Sequence, residues 1–528
     1  MLATLVSATL LGLEGRPIRV EVDVAAGLPG FTIVGLADAA LRESRERVRG
    51  AVRNAGFVYP ARRITVNLSP ADLPKAGASV DLAIAVGMLM GSEQFRAAPG
   101  RVALIGELGL GGEVRRVPGL LSMLAALAQH GVVRAIVPAD SQSEADLVRS
   151  VESIGCRTLE EAVAQLRTRR RASPPVPARV ALTDDRRASD PLGAARILPT
   201  GRRASLASPE VPDLSEVRGQ AEARRALEIA LAGGHGIMLI GPPGGGKTLL
   251  ARTIPGLVPA LGDEAALAAT IVASASGEGP IDGLVRTPPF RSPHHTSSYA
   301  AIVGGGPGLT PGEVTRADHG TLFLDELPEF DRDVLEALRQ PLEDGRVTIA
   351  RAARSVTFPA AFQLVAAMNP CRCGYAGDRA CECPSGAPDR YVSRISGPLR
   401  DRIDLWVWMP PISAASMVIG LEPESSAVVA ARIAAARGIQ TARPGGLLNA
   451  RVTGRALREA CGLGKTERAR AIALADRERM SGRGTDRLLR VARTIADLEA
   501  SPRVQVAHLE EAARWRAPAT KSPLALAG

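Results

Sequence analysis

The chain is poor in aromatic side chains: Phe, Trp and Tyr make up 3% of its 528 residues. That scarcity excludes an extended platform of stacked bases, so any grip on nucleic acid has to be made on the backbone and has to weaken with salt. Lysine is nearly absent too. Only four of the 65 basic residues are lysines, and arginine carries the formal net charge of +10. Genome composition and a polyanionic partner account equally well for such a bias. No uncharged apolar run approaches the ~18 residues of a membrane span. The mildly apolar start, Met1 to Gly15, lacks a basic leader and a small-residue cleavage site and reads as a strand. Six cysteines, four of them within thirteen residues, do not make a disulfide scaffold. A cytoplasmic protein with no membrane partner is the expectation.

What is present divides the chain. A hydrophobic content of 46% with 23% charged residues is ordinary globular chemistry, and this length bounds two to four domains. From Arg167 to Arg203 ten arginines and several prolines replace any helical or strand period, which predicts a flexible basic linker over 166–211. A solvated tether and a basic arm touching nucleic acid both fit that composition. Residues 1–165 alternate strand-like runs ("RPIRVEVDV", "RITVNLSP") with helical ones, giving an α/β or α+β domain. Residues 212–415 carry a nucleotide-binding pattern, and 420–518 read as helical. The fold class is α/β multidomain, without internal repeats.

The strand "GIMLIG" runs into Gly241, Pro242, Pro243, Gly244, Gly245, Gly246, Lys247 and Thr248, then into a helix. This is G-x-x-x-x-G-K-[ST] in its required strand–loop–helix context. Glycines admit backbone N–H groups to the phosphates of ATP, Lys247 reaches the β- and γ-phosphates, and the Thr248 hydroxyl binds Mg²⁺. In "HGTLFLDELPEF" a buried strand ends in Asp325, which completes the Mg²⁺ shell, and Glu326, which activates the attacking water. Another buried strand, "AAFQLVAAMN", ends in Asn369, an amide able to orient that water or sense the γ-phosphate. An ATPase is the conclusion.

Taken together with "FRSPHHTSSYAAIVGGG", "PGEVTRADHGTLFLDELPEF" and "SGPLRDRID", these motifs resemble the magnesium-chelatase-like branch of AAA+ ATPases, the YifB/ComM family, over nearly the whole chain. The resemblance implies a Lon-like N-terminal domain of ribosomal-protein-S5 type, an AAA+ P-loop domain and a C-terminal helical lid. It also implies a hexameric ring that moves single-stranded or branched DNA in recombination or transformation. It places the arginine finger at Arg402, acting on a neighbouring subunit, and a second sensor arginine at Arg483, with Arg487 and Arg490 nearby on the same helix. In the first domain Ser79 matches the serine of a Lon-type serine/lysine dyad. The matching lysine position holds Leu121, and the domain's one lysine is Lys75, so peptidase chemistry is not expected.

Cys371, Cys373, Cys381 and Cys383 form C-x-C-x₇-C-x-C directly after Asn369. Four thiolates in two short pairs suit one tetrahedral structural Zn²⁺; reactive thiols and unmetallated cysteines are the other readings. A zinc knuckle there is expected to help position Arg402, so chelation should lower hydrolysis without abolishing nucleotide binding. "EDGRVTIARAARSVTFPA" reads as a hairpin with Arg351 and Arg354 near its tip, placed either to hold DNA phosphates or as a solvated turn. Arg291, His294, His295 and Tyr299 mark a candidate pore loop, with the histidines read as hydrogen-bonded loop residues rather than a metal site. Besides the DNA motor, a chelatase- or chaperone-like ATPase remodelling a protein partner remains open; an ATP-dependent protease ranks last.

Overall fold

Alternating burial lays down the first sheet. In β2 (Glu14–Ala25) Ile18, Val20, Val22 and Val24 all turn to one buried face, and β1 (Leu2–Leu11) pairs with it antiparallel from Leu11↔Glu14 to Leu2↔Asp23. With β3 (Gly30–Val34), β4 (Arg63–Ser69), β5 (Val102–Leu104), β6 (Arg134–Pro138) and β7 (Glu152–Cys156) the sheet runs in the order β3-β4-β2-β1-β5-β6-β7. The apolar helix Asp81–Gly91 buries almost every side chain beneath it. The computed structural model describes residues 1–35, 39–71, 73, 75, 77–97, 102–167, 211–306, 308–351, 354–377, 379–412 and 422–516. Nearly all of the expected linker, 168–210, lies outside them.

The chain separates into two compact units. The first holds the described residues through 167 and also Gly262–Arg286 and Gly306–Pro311, which lie far along the sequence within the span of the nucleotide-binding pattern. The helix Asp263–Ala275 therefore belongs to the first unit. It packs on the helix Leu120–Gln129, where Gly119 N–H donates to the Ser274 carbonyl at 2.9 Å. Glu144, 2% exposed, accepts from the Ser274 hydroxyl and from the Leu121 N–H at 3.1 Å. Burial raises its carboxyl above the ordinary value, against the pull of those two donors and Arg116. Ser79 gives its hydroxyl to the Ala8 carbonyl at 2.9 Å and is 5% exposed, while the Lys75 ammonium donates to the Pro70 carbonyl.

The second unit is built on parallel strands, β8 (Ile237–Ile240), β9 (Phe290–Arg291), β10 (Thr321–Leu324), β13 (Gln363–Met368) and β14 (Leu405–Trp408), in the order β9-β10-β13-β8-β14, and all but the half-buried edge strand β9 are buried almost throughout. Between β10 and β13 the hairpin β11 (Arg346–Arg351) and β12 (Arg354–Pro359) pairs antiparallel from Arg346↔Pro359 to Arg351↔Arg354. The expected hairpin is present; the Arg351 and Arg354 side chains lie outside the described residues. Helices Ser426–Thr441, Gly454–Cys461, Lys465–Arg477, Gly482–Leu498 and Val506–Arg514 form the helical end of this unit. Ile433, Leu488, Ile495 and Leu509 share one apolar core with Ile229, Leu239, Val365 and Val407.

Candidate nucleotide site

Register decides which residues meet. Ile240 of β8 pairs with Met368 of β13, and Leu324 of β10 pairs with Ala366, so three neighbouring parallel strands end within two residues of one another. The next residues, Gly241, Asp325 and Asn369, therefore share the carboxyl edge of the sheet, where open α/β sheets place their ligands. Gly244 and Gly246 adopt φ +77° and +81°, left-handed conformations that let the loop turn its N–H groups inward before the helix Lys247–Arg252 begins.

The Lys247 ammonium donates to the Gly241 carbonyl at 2.7 Å, the Pro242 carbonyl at 2.9 Å and Asn369 Oδ1 at 3.0 Å. It is 8% exposed, and burial lowers its pKa below the ordinary lysine value, partly offset by Asp325 and Glu326. Thr248 Oγ1 donates to Asp325 Oδ2 at 2.7 Å. A hydroxyl and a carboxylate oxygen side by side are the hard donors a magnesium ion prefers, so this pair fits the ion. Glu326 follows in a left-handed backbone conformation (φ +53°), its N–H on Asp325 Oδ1 at 2.9 Å. Its carboxylate meets His295 Nδ1 at 3.1 Å. His294 Nδ1 instead lies 2.9 Å from the Thr296 hydroxyl, and Arg291 grips Glu313 with two bonds of 2.7 and 2.9 Å. Neither histidine belongs to a metal-ligating cluster among the described residues.

Arg402 stands at the other edge. It precedes β14, whose Leu405 pairs with Ile237 at the start of β8, and the Asp404 and Leu405 N–H groups both donate to the Gly236 carbonyl. A four-residue strand, ~13 Å long, separates that edge from the phosphate loop. Arg402 donates to the Pro398 carbonyl at 2.7 Å and pairs with Glu343, which also takes Arg483 at 3.4 Å. These two guanidiniums hold the Glu343 carboxyl below its ordinary value, Arg402 most of all. The three residues line a cavity of about 520 Å³ with Asp404, Asp486 and Arg490. Arg483 is exposed, whereas Arg487 is buried against the Ile403 and Asp401 carbonyls and Arg490 reaches the Ala450 carbonyl.

The four cysteine sulfurs lie within 4.8 Å of one another. Cys371–Cys373, Cys373–Cys381 and Cys371–Cys381 are 3.3, 3.7 and 4.0 Å apart. Sulfurs at the corners of a zinc tetrahedron are ~3.8 Å apart, so the set fits that ion. Burial pushes the Cys371 thiol up to about 12, while the Tyr375 N–H pulls Cys373 down to about 6. The knuckle's Gly374 rests on Pro243 of the phosphate loop, where the chain turns six residues after the end of β13.

Several working residues were not legible as such. Gln220, 2% exposed, donates to the Gly245 carbonyl at 3.1 Å and the Pro410 carbonyl at 2.8 Å, bracing the loop from the opposite side. His235, fully buried, joins Asp404 Oδ2 at 2.9 Å to the Thr494 hydroxyl at 2.8 Å. The only signals were a lone glutamine before a helix and a histidine between glycines.

"Magnesium chelatase, subunit ChlI" matches residues 213–417, "Subunit ChlI of Mg-chelatase" matches 20–141 and "Magnesium chelatase, subunit ChlI C-terminal" matches 423–516. The uncharacterized protein YifB of Escherichia coli is 40% identical over 510 residues, 96% of this chain and 95% of its own. An uncharacterized protein of Mycobacterium tuberculosis is 42% identical over 504 residues, 93% of this chain and 94% of its own. The competence protein ComM of Haemophilus influenzae is 38% identical over 520 residues, 98% and 97% of the two chains. No described helix is long and apolar enough to cross a membrane. With identity of this order running along almost its full length, the chain belongs to the magnesium-chelatase-like family of YifB and ComM.

Proposed function

We propose that the chain hydrolyses ATP and couples the hydrolysis to movement of single-stranded or branched DNA through a ring of identical subunits, with six as the family's number. The observation that carries this reading is the division of labour across the sheet. Lys247, Thr248, Asp325, Glu326 and Asn369 share one edge, and Arg402 and Arg483 lie at the other. An arginine on the far edge suits action on a second subunit's phosphates, which requires an oligomer.

The loop N–H groups and the Lys247 ammonium take the phosphates, and Asn369 orients the ammonium and the water. Glu326 accepts the proton of the attacking water. Thr248 and Asp325 would hold a magnesium ion, which would supply charge neutralisation for the phosphates. Cys371, Cys373, Cys381 and Cys383 hold one zinc ion of structural use. For DNA, support comes from the arginine excess, the hairpin ahead of the Asn369 strand and the competence protein among the relatives.

The test is ATP hydrolysis with and without single-stranded and branched DNA across salt concentrations, with Glu326→Gln as control. Stimulation that weakens with salt and vanishes in the variant is expected. Hydrolysis indifferent to every DNA, yet lost in the variant, would replace DNA with a protein substrate.

A further inference from the structure

The four-cysteine knuckle and the phosphate loop share a wall. Asn369, which holds the Lys247 ammonium, is followed by Pro370 and then by Cys371, a fully buried ligand candidate. The chain turns at Gly374, whose N–H donates to the Cys371 carbonyl at 3.0 Å and whose φ is +93°. A Cβ on Gly374 would lie 2.6 Å from Pro243 Cδ and 2.7 Å from Cγ, so the knuckle's backbone touches the ring of the phosphate-loop proline. Gln220 holds the far side of that loop through Gly245.

Nothing regular supports the knuckle from within. No helix or strand occurs between Met368 and Ala387 among the described residues, and the segment between the cysteine pairs is polar and glycine-containing. In such segments the free energy of binding structural zinc is folding free energy. Withdrawing the metal would therefore release the Gly374 turn that rests on Pro243.

We propose that the metal-loaded knuckle is a brace on the phosphate loop, so that occupancy of the four-cysteine site sets the affinity for nucleotide. This rests on the zinc reading above. If the unbraced loop holds its nucleotide-competent arrangement a tenth of the time, the apparent Kd rises about tenfold. Linkage makes the effect mutual: bound nucleotide tightens the metal by the same factor.

The experiment uses the full chain. Zinc content is measured first; then the Kd of a fluorescent ADP is compared, in excess magnesium, for zinc-loaded protein and protein stripped by a zinc-selective chelator. Zinc loss to the chelator is also followed with and without ADP. One zinc per chain, an about tenfold weaker Kd after stripping and slower zinc loss with ADP are expected. Gly374→Ala keeps all four thiols, and is expected to retain zinc while binding ADP more weakly. Zinc held at one per chain with the same Kd loaded and stripped would overturn the brace and leave the metal reading standing. Absence of stoichiometric zinc from protein refolded with the metal would overturn that reading itself. Should Gly374→Ala misfold, the loaded-against-stripped comparison on the unaltered chain still decides.

Discussion

Replacing His235 by alanine tests how the segment that carries Arg402 is anchored. The imidazole is fully buried and bonds the Asp404 carboxylate at 2.9 Å, while Asp404 is 11% exposed. Burial alone would raise the Asp404 carboxyl; the His235 hydrogen bond, with Arg490 and Arg487, keeps it below its ordinary value. Removing the ring leaves a largely buried carboxylate without its nearest donor. Breaking such a pair from one side costs roughly 3–5 kcal/mol, and the residual exposure of Asp404 argues for the lower end. At ~2–4 °C per kcal/mol, the transition of the second unit should fall by ~6–12 °C. Thr494→Val removes the partner of the other ring nitrogen, a neutral hydroxyl, and should cost ~1 kcal/mol. Urea and calorimetric melts of both single variants and the double variant give these values and their coupling. A loss under ~1 kcal/mol for His235→Ala would refute the reasoning, because the carboxylate would then have found water or another donor.

Glu326→Gln should lower hydrolysis by about 10²–10⁴-fold while fluorescent ADP binds as before; weakened binding would show that Glu326 shapes the pocket rather than the reaction. Arg402→Ala should lose about 10³-fold in kcat, and mixing it with Glu326→Gln subunits should restore part of the rate at hybrid interfaces; mixtures as inactive as their parts would put Arg402 outside the reaction. Glu144 has a raised folded pKa, so between its ordinary value and that raised one the native unit holds more protons than the unfolded chain. Its contribution to stability is full below the ordinary value and falls as pH rises. Glu144→Gln should therefore gain on the parent as pH rises above the ordinary carboxylate range in urea melts, and parallel curves would refute the assignment.

The nucleotide edge was readable because each of its parts is local. The glycines, Lys247 and Thr248 occupy eight consecutive residues, and Asp325, Glu326 and Asn369 each end a short apolar run. The partners that hold them are not local. His235 meets Asp404 across 169 positions, Lys247 meets Asn369 across 122, and Glu343 takes Arg402 across 59. No local signal says what the helix Asp263–Ala275 packs on. The cysteine spacing likewise pointed to a metal, whereas the surface the knuckle presses on depends on the turn at Gly374, a backbone conformation no spacing reports.

The helix Asp263–Ala275 constrains how this chain can be divided. Its apolar residues, Ala266, Ala269, Ile271 and Val272 among them, are buried, and it delivers Ser274 to Glu144 of the first unit. A cut in the 168–210 stretch therefore does not yield two complete bodies. A fragment beginning at Val211 would carry that greasy helix with no home for it, and a fragment ending at Arg167 would lack one of its own layers and cost Glu144 its Ser274 donor. The two units are interleaved in sequence like pages of one gathering, so a single cut cannot release either of them whole.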